Sequence, residues 1–507
     1  MKILGTKQTR DADKFTIENE PIKSIDLMER AATKCTEWIV KRFDNQNRIK
    51  IFAGSGNNGG DGLVIARQLD ALNYHVELFF IKFSDHISED CSVNLSRLRE
   101  QTNINIDEIE ENSELPQILD SDILIDAIFG SGLSKSIEDF PANVVTHLNK
   151  TKAIIISIDI PSGLFGEDNS ENYFKNIIEA DYTLTFESPK LSFLFSENER
   201  YVGEWEVLPI GLSKEYISQI DTEFSLISKE QIKPKIKRRK TFAHKGHFGH
   251  ALLIAGGYGK IGAAVLAAKG CLRAGAGLLT THIPRYGYEI LQTSVPESML
   301  SVYKYDKVIS KVSIIDNFTT IGIGPGIGRS RNTQIAIREL IEQAKVPMVI
   351  DADAINIISD NKDLLEKIPE ESIFTPHPKE FERIAGTAYD NYSRIQLQKE
   401  FAQKQKVYVV LKGAYTSVAC PDGSCFFNPT GNPGMATGGS GDVLTGIILS
   451  LLAQRYSSKD AALIGVFLHG LAGDFATSQH GQEAVIASDI IDNLGKAFQE
   501  IKNKSSF

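Results

Sequence analysis

The sequence predicts an α/β protein built as two tandem domains, and three observations carry that reading. Short β-rich runs end in Gly, Asp, Asn or Ser loops and are followed by stretches of helical period, the pattern of a parallel sheet with helices on its faces. The series closes at Pro209-Ile210-Gly211, passes into a polar, basic stretch without strong periodicity, and restarts at Ala251. At 507 residues with 42% hydrophobic content, the chain is long and apolar enough to give each domain its own core.

In chain order, the first series has strands expected at 49–53, 75–81, 123–129, 153–158, 182–186 and 204–208, a Rossmann-like, doubly wound arrangement. The second has strands expected at 251–255, 319–324, 348–351, 372–375 and 408–412, then a hairpin over 417–427. The domains are set at 1–215 and 241–502, with 216–240 as linker. No fixed-period repeat appears, which removes solenoid architectures.

Charge and cysteine content narrow the class. A formal net charge of -10 opposes a general nucleic-acid binder. Lys233, Lys235, Lys237, Arg238, Arg239, Lys240 and Lys245 crowd one segment, read as a solvated linker reaching a phosphate-bearing ligand. Five cysteines, odd in number and scattered, point to a reducing compartment and a cytoplasmic location. Cys420 and Cys425 flank Pro-Asp-Gly-Ser as cross-strand neighbours of a hairpin. The N-terminus turns polar before an apolar core of signal length develops, and no apolar run approaches the ~18 residues of a membrane span.

The chemistry concentrates at strand ends. Gly431 to Gly446 joins a glycine-lined cradle, Gly438-Gly439-Ser440-Gly441, to Asp442 at the mouth of an apolar helix. Converging backbone N–H groups and the positive helix end form an anion site, and Asp442 beside it can accept a hydroxyl proton during phosphoryl transfer. A glycine-rich turn capped by Asp is the plainer alternative. No Walker A run is present, so nucleotide must be held by other loops: 256–264, 324–328, Thr375-Pro376-His377-Pro378, and Lys412 to Thr416.

In the first half, Gly54 to Gly59 is a literal G-x-G-x-x-G after the first expected strand, with a helix expected to open near Leu63. Tandem asparagines and Asp61 resist the dinucleotide reading, because Asp61 would set negative charge where a pyrophosphate rests. Asp126 and Asp159 end two further strands, so Asn58, Asp61, Asp126, Asp159 and Ser162 can share one crevice. Oxygen ligands without His or Cys favour a hard cation. Each Asp alone also reads as a helix cap.

Asn57-Asn58-Gly59-Gly60-Asp61-Gly62 and Asp159-Ile160-Pro161-Ser162-Gly163 closely resemble the NAD(P)H-hydrate epimerase domain, over about 1–215. The resemblance implies that Asn57, Asn58, Gly59, Gly60, Asp61, Gly130, Ser131, Gly132, Leu133, Ser134, Lys135, Ser136 and Asp159 bind hydrated nicotinamide nucleotide. It implies potassium on Asn58, Asp126 and Ser162, and proton transfer by Asp159. Lys190 fits a family Thr-Phe-x-x-x-Lys pattern, with Ser192 where the family has glycine; its role stays open.

Residues 230–500 resemble the ADP/ATP-dependent NAD(P)H-hydrate dehydratases of the ribokinase-like superfamily. The resemblance rests on Gly-Asn-Pro-Gly-Met-Ala-Thr-Gly-Gly-Ser-Gly-Asp at 431–442 and on His244-Lys245-Gly246-His247-Phe248-Gly249. It implies hydrate contacts at Ala263, Gly326, His377 and Asp442, and adenine-nucleotide contacts at Lys412, Gly413, Ala414, Tyr415, Thr416 and Gly441, with magnesium. Lys379 replaces a family glycine. The implied function is metabolite repair: interconversion of the R and S hydrates, then nucleotide-dependent dehydration of S, with AMP and phosphate from ADP, by a homo-oligomer. A ribokinase-like vitamin kinase fused to a non-catalytic dinucleotide-binding or interaction module is the alternative.

Overall fold

The computed structural model describes residues 1–84, 86–303, 307–312 and 317–503. Two compact units emerge: Lys2–Thr222 together with Asp390–Tyr392, and the remainder of the chain.

The first unit holds a sheet of seven strands, β1 (Arg48–Ala53), β2 (His75–Ile81), β3 (Ile106–Ile109), β4 (Ile123–Ala127), β5 (Ile154–Ile158), β6 (Tyr182–Phe186) and β7 (Glu204–Leu208). Their order is β3-β2-β1-β4-β5-β6-β7, with every pairing parallel. Strand pleating explains the two-sided core. Ile49, Ile51 and Ala53 join one buried cluster with helices Ser24–Arg42 and Asn57–Ala71, while Phe52 joins a second with helix Asp139–Asn149. β3 was not foreseen: Ile-Asp-Glu-Ile exposes both acids at the sheet edge and offers little apolar signal.

The second unit holds a sheet of ten, β8 (Phe224–Leu226), β9 (His250–Ile254), β10 (Leu278–Pro284), β11 (Met299–Tyr303), β12 (Thr320–Ile323), β13 (Met348–Ile350), β14 (Ile373–Phe374), β15 (Tyr408–Leu411), β16 (Ser417–Ala419) and β17 (Cys425–Phe427). The order is β11-β10-β9-β12-β13-β14-β15-β16-β17-β8, parallel except where β16 turns back against β15 and β17. Ala251 and Leu253 of β9 pack into one cluster with Ala264, Ala268 and Ile447 from helices Ile261–Arg273 and Ser440–Ala453. Those helices approach closely because a Cβ at Gly446 would overlap the Ala267 carbonyl oxygen. Cys420 and Cys425 are buried, and Cys425 pairs with Ala419 across the hairpin.

Three expectations need correction. The segment 216–240 opens inside helix Lys214–Gln219 and then carries β8, which completes the second sheet beside β17; a strand of three residues is too short for periodicity to reveal. Its basic residues are not free to reach a ligand as a group. Lys237 Nζ lies 2.6 Å from Arg455 O, Lys233 Nζ 2.9 Å from Asn503 O, Arg239 Nη2 2.6 Å from Gly275 O, and Lys235 pairs with Asp460 at 2.6 Å. Cations on carbonyls left open at helix ends are a structural use of that charge. Finally, helix Ser458–His480 has 23 residues and a mean hydropathy of 1.3 over its most apolar window, long and apolar enough for a membrane span; 67% of that window is buried inside the fold, as a core helix requires.

Candidate active sites

In the first unit the strand order reverses between β1 and β4, so a crevice opens where their carboxyl ends diverge. The helix following β1 starts at Asn57 rather than near Leu63, which puts the Asn-Asn-Gly-Gly-Asp run in its first turns. A Cβ at Gly59 would overlap the Gly54 carbonyl oxygen, so only glycine lets this turn close. Asn58 is buried, and neither its amide oxygen nor its amide nitrogen has a hydrogen-bond partner among the described residues. An orphaned buried amide is unfavourable by about 1–3 kcal/mol and marks a place for a ligand. Gly130 stands between this amide and Asp159: a Cβ there would lie 3.2 Å from Asn58 Cβ and 3.3 Å from Asp159 Oδ2.

Asp159 adopts φ +65°, a left-handed conformation that a non-glycine residue holds at about 1–3 kcal/mol of strain. Its Oδ1 pairs with Lys190 Nζ at 2.8 Å, and its Oδ2 accepts from Ser131 N–H at 2.9 Å. Burial pushes its pKa up, but Lys190 and the Ser131 donors outweigh burial and hold the carboxyl below the ordinary range. Asp61 is the opposite case: burial, then the nearby Asp159 and Asp13, push it well up. Asp126 is sealed away, its oxygens accepting from Ser157 Oγ (2.7 Å), Ser162 N (2.8 Å) and Ser162 Oγ (2.5 Å). Burial still raises it, against these donors. Ser131 lines the crevice with Gly130, and the chain turns through Leu133 N–H to Gly130 O. Ser134 and Lys135 are exposed, and Ser136 Oγ donates to Asn172 Oδ1 at 3.0 Å.

Helix Thr6–Asn19 supplies groups that the motif reading missed. Thr6 Oγ1 donates to Ser131 O at 3.1 Å, and a Cβ at Gly132 would lie 2.8 Å from Arg10 Nη2. Asp13 follows at the spacing that keeps it on this face, with its pKa raised to about 7 by burial and then by Asp159, against Lys190.

In the second unit the order reverses between β9 and β12, and a cleft of about 450 Å³ lies at that point. Lys260, Ala263, Gly326, Asp353, Glu380, Gly438, Gly439 and Asp442 are among its lining residues. Helix Ser440–Ala453 enters through Gly439 at φ +94°, where a Cβ would also overlap Leu266 Cδ1. Ser440 N–H donates to Thr437 O at 3.4 Å and Val443 N–H to Gly439 O at 3.1 Å, which leaves the N–H groups of Gly441 and Asp442 between them open to a ligand. Burial, then Asp351, raise Asp442 to about 7, with Lys412 opposing. Lys412 Nζ sits 2.9 Å from Asp351 Oδ1, and Thr445 Oγ1 donates to Asp351 Oδ2 at 2.8 Å. Burial works against the Lys412 charge, but Asp351 prevails and raises its pKa. A Cβ at Gly441 would lie 3.4 Å from Lys412 Nζ, which brings that lysine to the cradle. Gly413 and Thr416 close a turn through Thr416 Oγ1 to Gly413 O at 3.0 Å, with Ala414 and Tyr415 at its tip.

His377 caps helix Pro378–Ala385: its Nδ1 accepts from Glu380 N–H at 3.2 Å, and Glu380 Oε2 accepts from His377 N–H at 2.9 Å. It does not line the cleft, although Glu380 does. Lys379 is exposed within that helix and leaves the cap intact.

Residues 24–192 match the YjeF-related protein N-terminus family, and 251–496 match the NAD(P)H-hydrate dehydratase family. A bifunctional NAD(P)H-hydrate repair enzyme of Moorella thermoacetica is 34% identical over 99% of this chain and 98% of its own. The chain belongs to the bifunctional NAD(P)H-hydrate repair enzymes. The Escherichia coli member is 31% identical over 92% of this chain and 88% of its own. Among solved structures, the ADP/ATP-dependent NAD(P)H-hydrate dehydratase of Bacillus subtilis, co-crystallized with ATP/Mg2+, is 31% identical with a TM-score of 0.50, covering 55% of this chain and all of that one.

The first unit is thus the epimerase domain and the second the dehydratase domain, and the vitamin-kinase alternative falls away. In the epimerase domain Lys190 is the ion-pair partner of Asp159, with Ser192 beside it fully buried. In the dehydratase domain the missed groups are Asp351 and Thr445. Asp351 carried a legible signal, since it directly follows β13 as Asp159 directly follows β5.

Proposed function

We propose that the epimerase crevice interconverts R and S hydrates of NADH and NADPH, and that the dehydratase cleft returns the S hydrate to the reduced nucleotide at the expense of an adenine nucleotide. The observation that carries the second step is Asp442, half-buried with a pKa raised to about 7, next to the open N–H groups of Gly441 and Asp442. Hydroxide is a poor leaving group. Asp442 accepts the proton of the ring hydroxyl as the hydroxyl oxygen attacks the nucleotide's terminal phosphorus and the P–O bond to the shortened nucleotide breaks. The cradle N–H groups and Lys412 bear the phosphoryl charge. Phosphate then departs, pushed by the ring-nitrogen lone pair, and loss of the neighbouring carbon's proton restores the dihydronicotinamide. Ala263 and Gly326 form the small-residue wall that lets the ring approach Asp442. Asp351 is occupied by Lys412 and Thr445, and Asp353 accepts from Gly328 N–H at 2.9 Å, so a magnesium ion entering with the nucleotide would be held chiefly by its phosphates.

In the epimerase crevice, Asp159 held ionised beside the orphaned Asn58 amide supports its role as proton acceptor for the substrate hydroxyl. Of the potassium ligands that the resemblance implies, Asn58 Oδ1 has no partner among the described residues, while Asp126 and Ser162 hydrogen-bond each other; a potassium ion on these oxygens would have to share the Asp126 carboxylate with its serine donors. Such an ion would fix the Asn58 amide and the loop carrying Asp159.

Full-length protein mixed with nucleotide and pure S hydrate should restore dihydronicotinamide absorbance, and pure R hydrate should do so after a lag set by epimerisation. A stable phosphorylated product, or absorbance that never returns, would overturn the dehydratase reading. Pure R hydrate that persists while S is consumed would overturn the epimerase reading.

A further inference from the structure

The epimerase domain holds a carboxyl group that the reaction as described does not use. Asp13 lies on helix Thr6–Asn19 on the same face as Thr6, which donates to Ser131 O at 3.1 Å, and Arg10, whose Nη2 hangs over Gly132. Spacings of four and then three residues keep all three side chains on the side that meets the 130–132 loop. Asp159 and Lys190 are the charges that act on Asp13, and Asp13 in turn acts on Asp61. Asn58, 7% exposed with no partner for either amide atom among the described residues, marks where a ligand enters this cluster.

Building on the epimerase reading, we infer that Asp13 is a second catalytic proton carrier, serving the ring nitrogen of the hydrate while Asp159 serves its hydroxyl. Hydration of an enamine puts hydroxyl on the carbon next to nitrogen, so that carbon can invert by opening and closing the ring. In opening, the hydroxyl proton passes to Asp159, the C–N bond breaks with its electron pair on nitrogen, and Asp13 protonates that nitrogen, leaving an open-chain aldehyde. Rotation about the neighbouring C–C bond presents the other carbonyl face. Closure returns the nitrogen proton to Asp13, re-forms the C–N bond, and moves the Asp159 proton onto the carbonyl oxygen. Atoms and protons balance without a co-reactant.

The two carboxyls are prepared for opposite duties. Asp159 is engaged by Lys190 at 2.8 Å and by Ser131 N–H at 2.9 Å, which favours its ionised form. No donor engages Asp13 among the described residues, and burial beside ionised Asp159 favours its protonated form up to about pH 7. Lys190 is the cation that acts on the pair, Arg10 lies at the neighbouring Gly132, and Asp61 is the other acid.

The test uses the full chain with pure S hydrate and no nucleotide, following R formation by chromatography. Wild type should epimerise with kcat falling above about pH 7 as Asp13 loses its proton. Asp13→Asn should lower kcat by ~10²- to 10⁴-fold, the usual loss of a positioned acid, with KM within about threefold and the alkaline fall absent. Asp13→Glu should recover at least about tenfold over Asp13→Asn, which a merely structural role would not produce. Asp13→Asn within about tenfold of wild-type kcat, or an alkaline limb that persists unchanged in Asp13→Asn, overturns the inference while the epimerase reading stands. Wild type that forms no R hydrate fails the epimerase reading itself.

Discussion

At the residue scale, acids with similar sequence contexts have been given different charges by their surroundings. Asp159 has Lys190 and stays ionised, Asp126 is enclosed by serine donors, and Asp442 is raised to about 7 by burial and Asp351. A base must be ionised to work, so dehydration of the S hydrate should rise with pH up to about 7 and level off above it. Asp351→Asn removes a neighbouring negative charge and should move that limb to lower pH, read from kcat/KM against pH. Asp442→Asn should cut dehydration by ~10²- to 10⁴-fold and leave epimerisation unchanged; a variant retaining a tenth of wild-type dehydration would falsify the role of Asp442. Asp126→Ala opens a void among Ser157 and Ser162 and removes the charged oxygen of the proposed potassium site. Potassium stimulation of epimerisation should vanish in that variant while dehydration persists; stimulation equal to wild type would put the ion elsewhere.

At the element scale, what was legible in the sequence is what carries period or glycine. β2, β6 and β7 lie where alternating apolar runs put them, and Gly438 to Gly441 announce the entry to helix Ser440–Ala453. β3, β8, β10 and β11 were not legible as elements for particular reasons. β3 exposes two acids, β8 is three residues long, and β10 and β11 carry threonine, histidine or serine at inner positions that only pairing identifies. Asp13 escaped for a related reason: helix Thr6–Asn19 is polar overall, and nothing local shows that its Thr6, Arg10, Asp13 face meets the 130–132 loop. Gly446 shows the reverse, a glycine inside an apolar helix whose purpose only packing explains. Gly446→Ala should push the helix off Ala267 and lower stability by about 1–3 kcal/mol, as overpacking does. The melting transition of the dehydratase domain should fall by several degrees; an unchanged midpoint would show that the two helices separate freely.

At the scale of the whole molecule, the chain joins a step that makes both epimers available with one that draws on a single epimer. Each unit has its own sheet and its own buried clusters, so each should fold when separated. The dividing point follows from β8: a cut within 224–226 would tear a strand from the second sheet, whereas a cut between Thr222 and Glu223 keeps both sheets whole and parts only Met1 and Asp390–Tyr392 from the units they group with. Fragments 1–222 and 223–507 should therefore each show a cooperative melt. Given equal R and S hydrates with nucleotide, fragment 223–507 alone should stop near half conversion, apart from the slow spontaneous exchange of epimers, with R left over. Addition of fragment 1–222 should carry the reaction to completion, at a rate that rises with its concentration until dehydration becomes limiting. Asp159→Asn in that fragment should abolish the rescue, because an amide cannot take the hydroxyl proton. Prompt consumption of both epimers by fragment 223–507 alone would mean that the dehydratase cleft does not distinguish them, and the epimerase domain would need another reason to be on the chain.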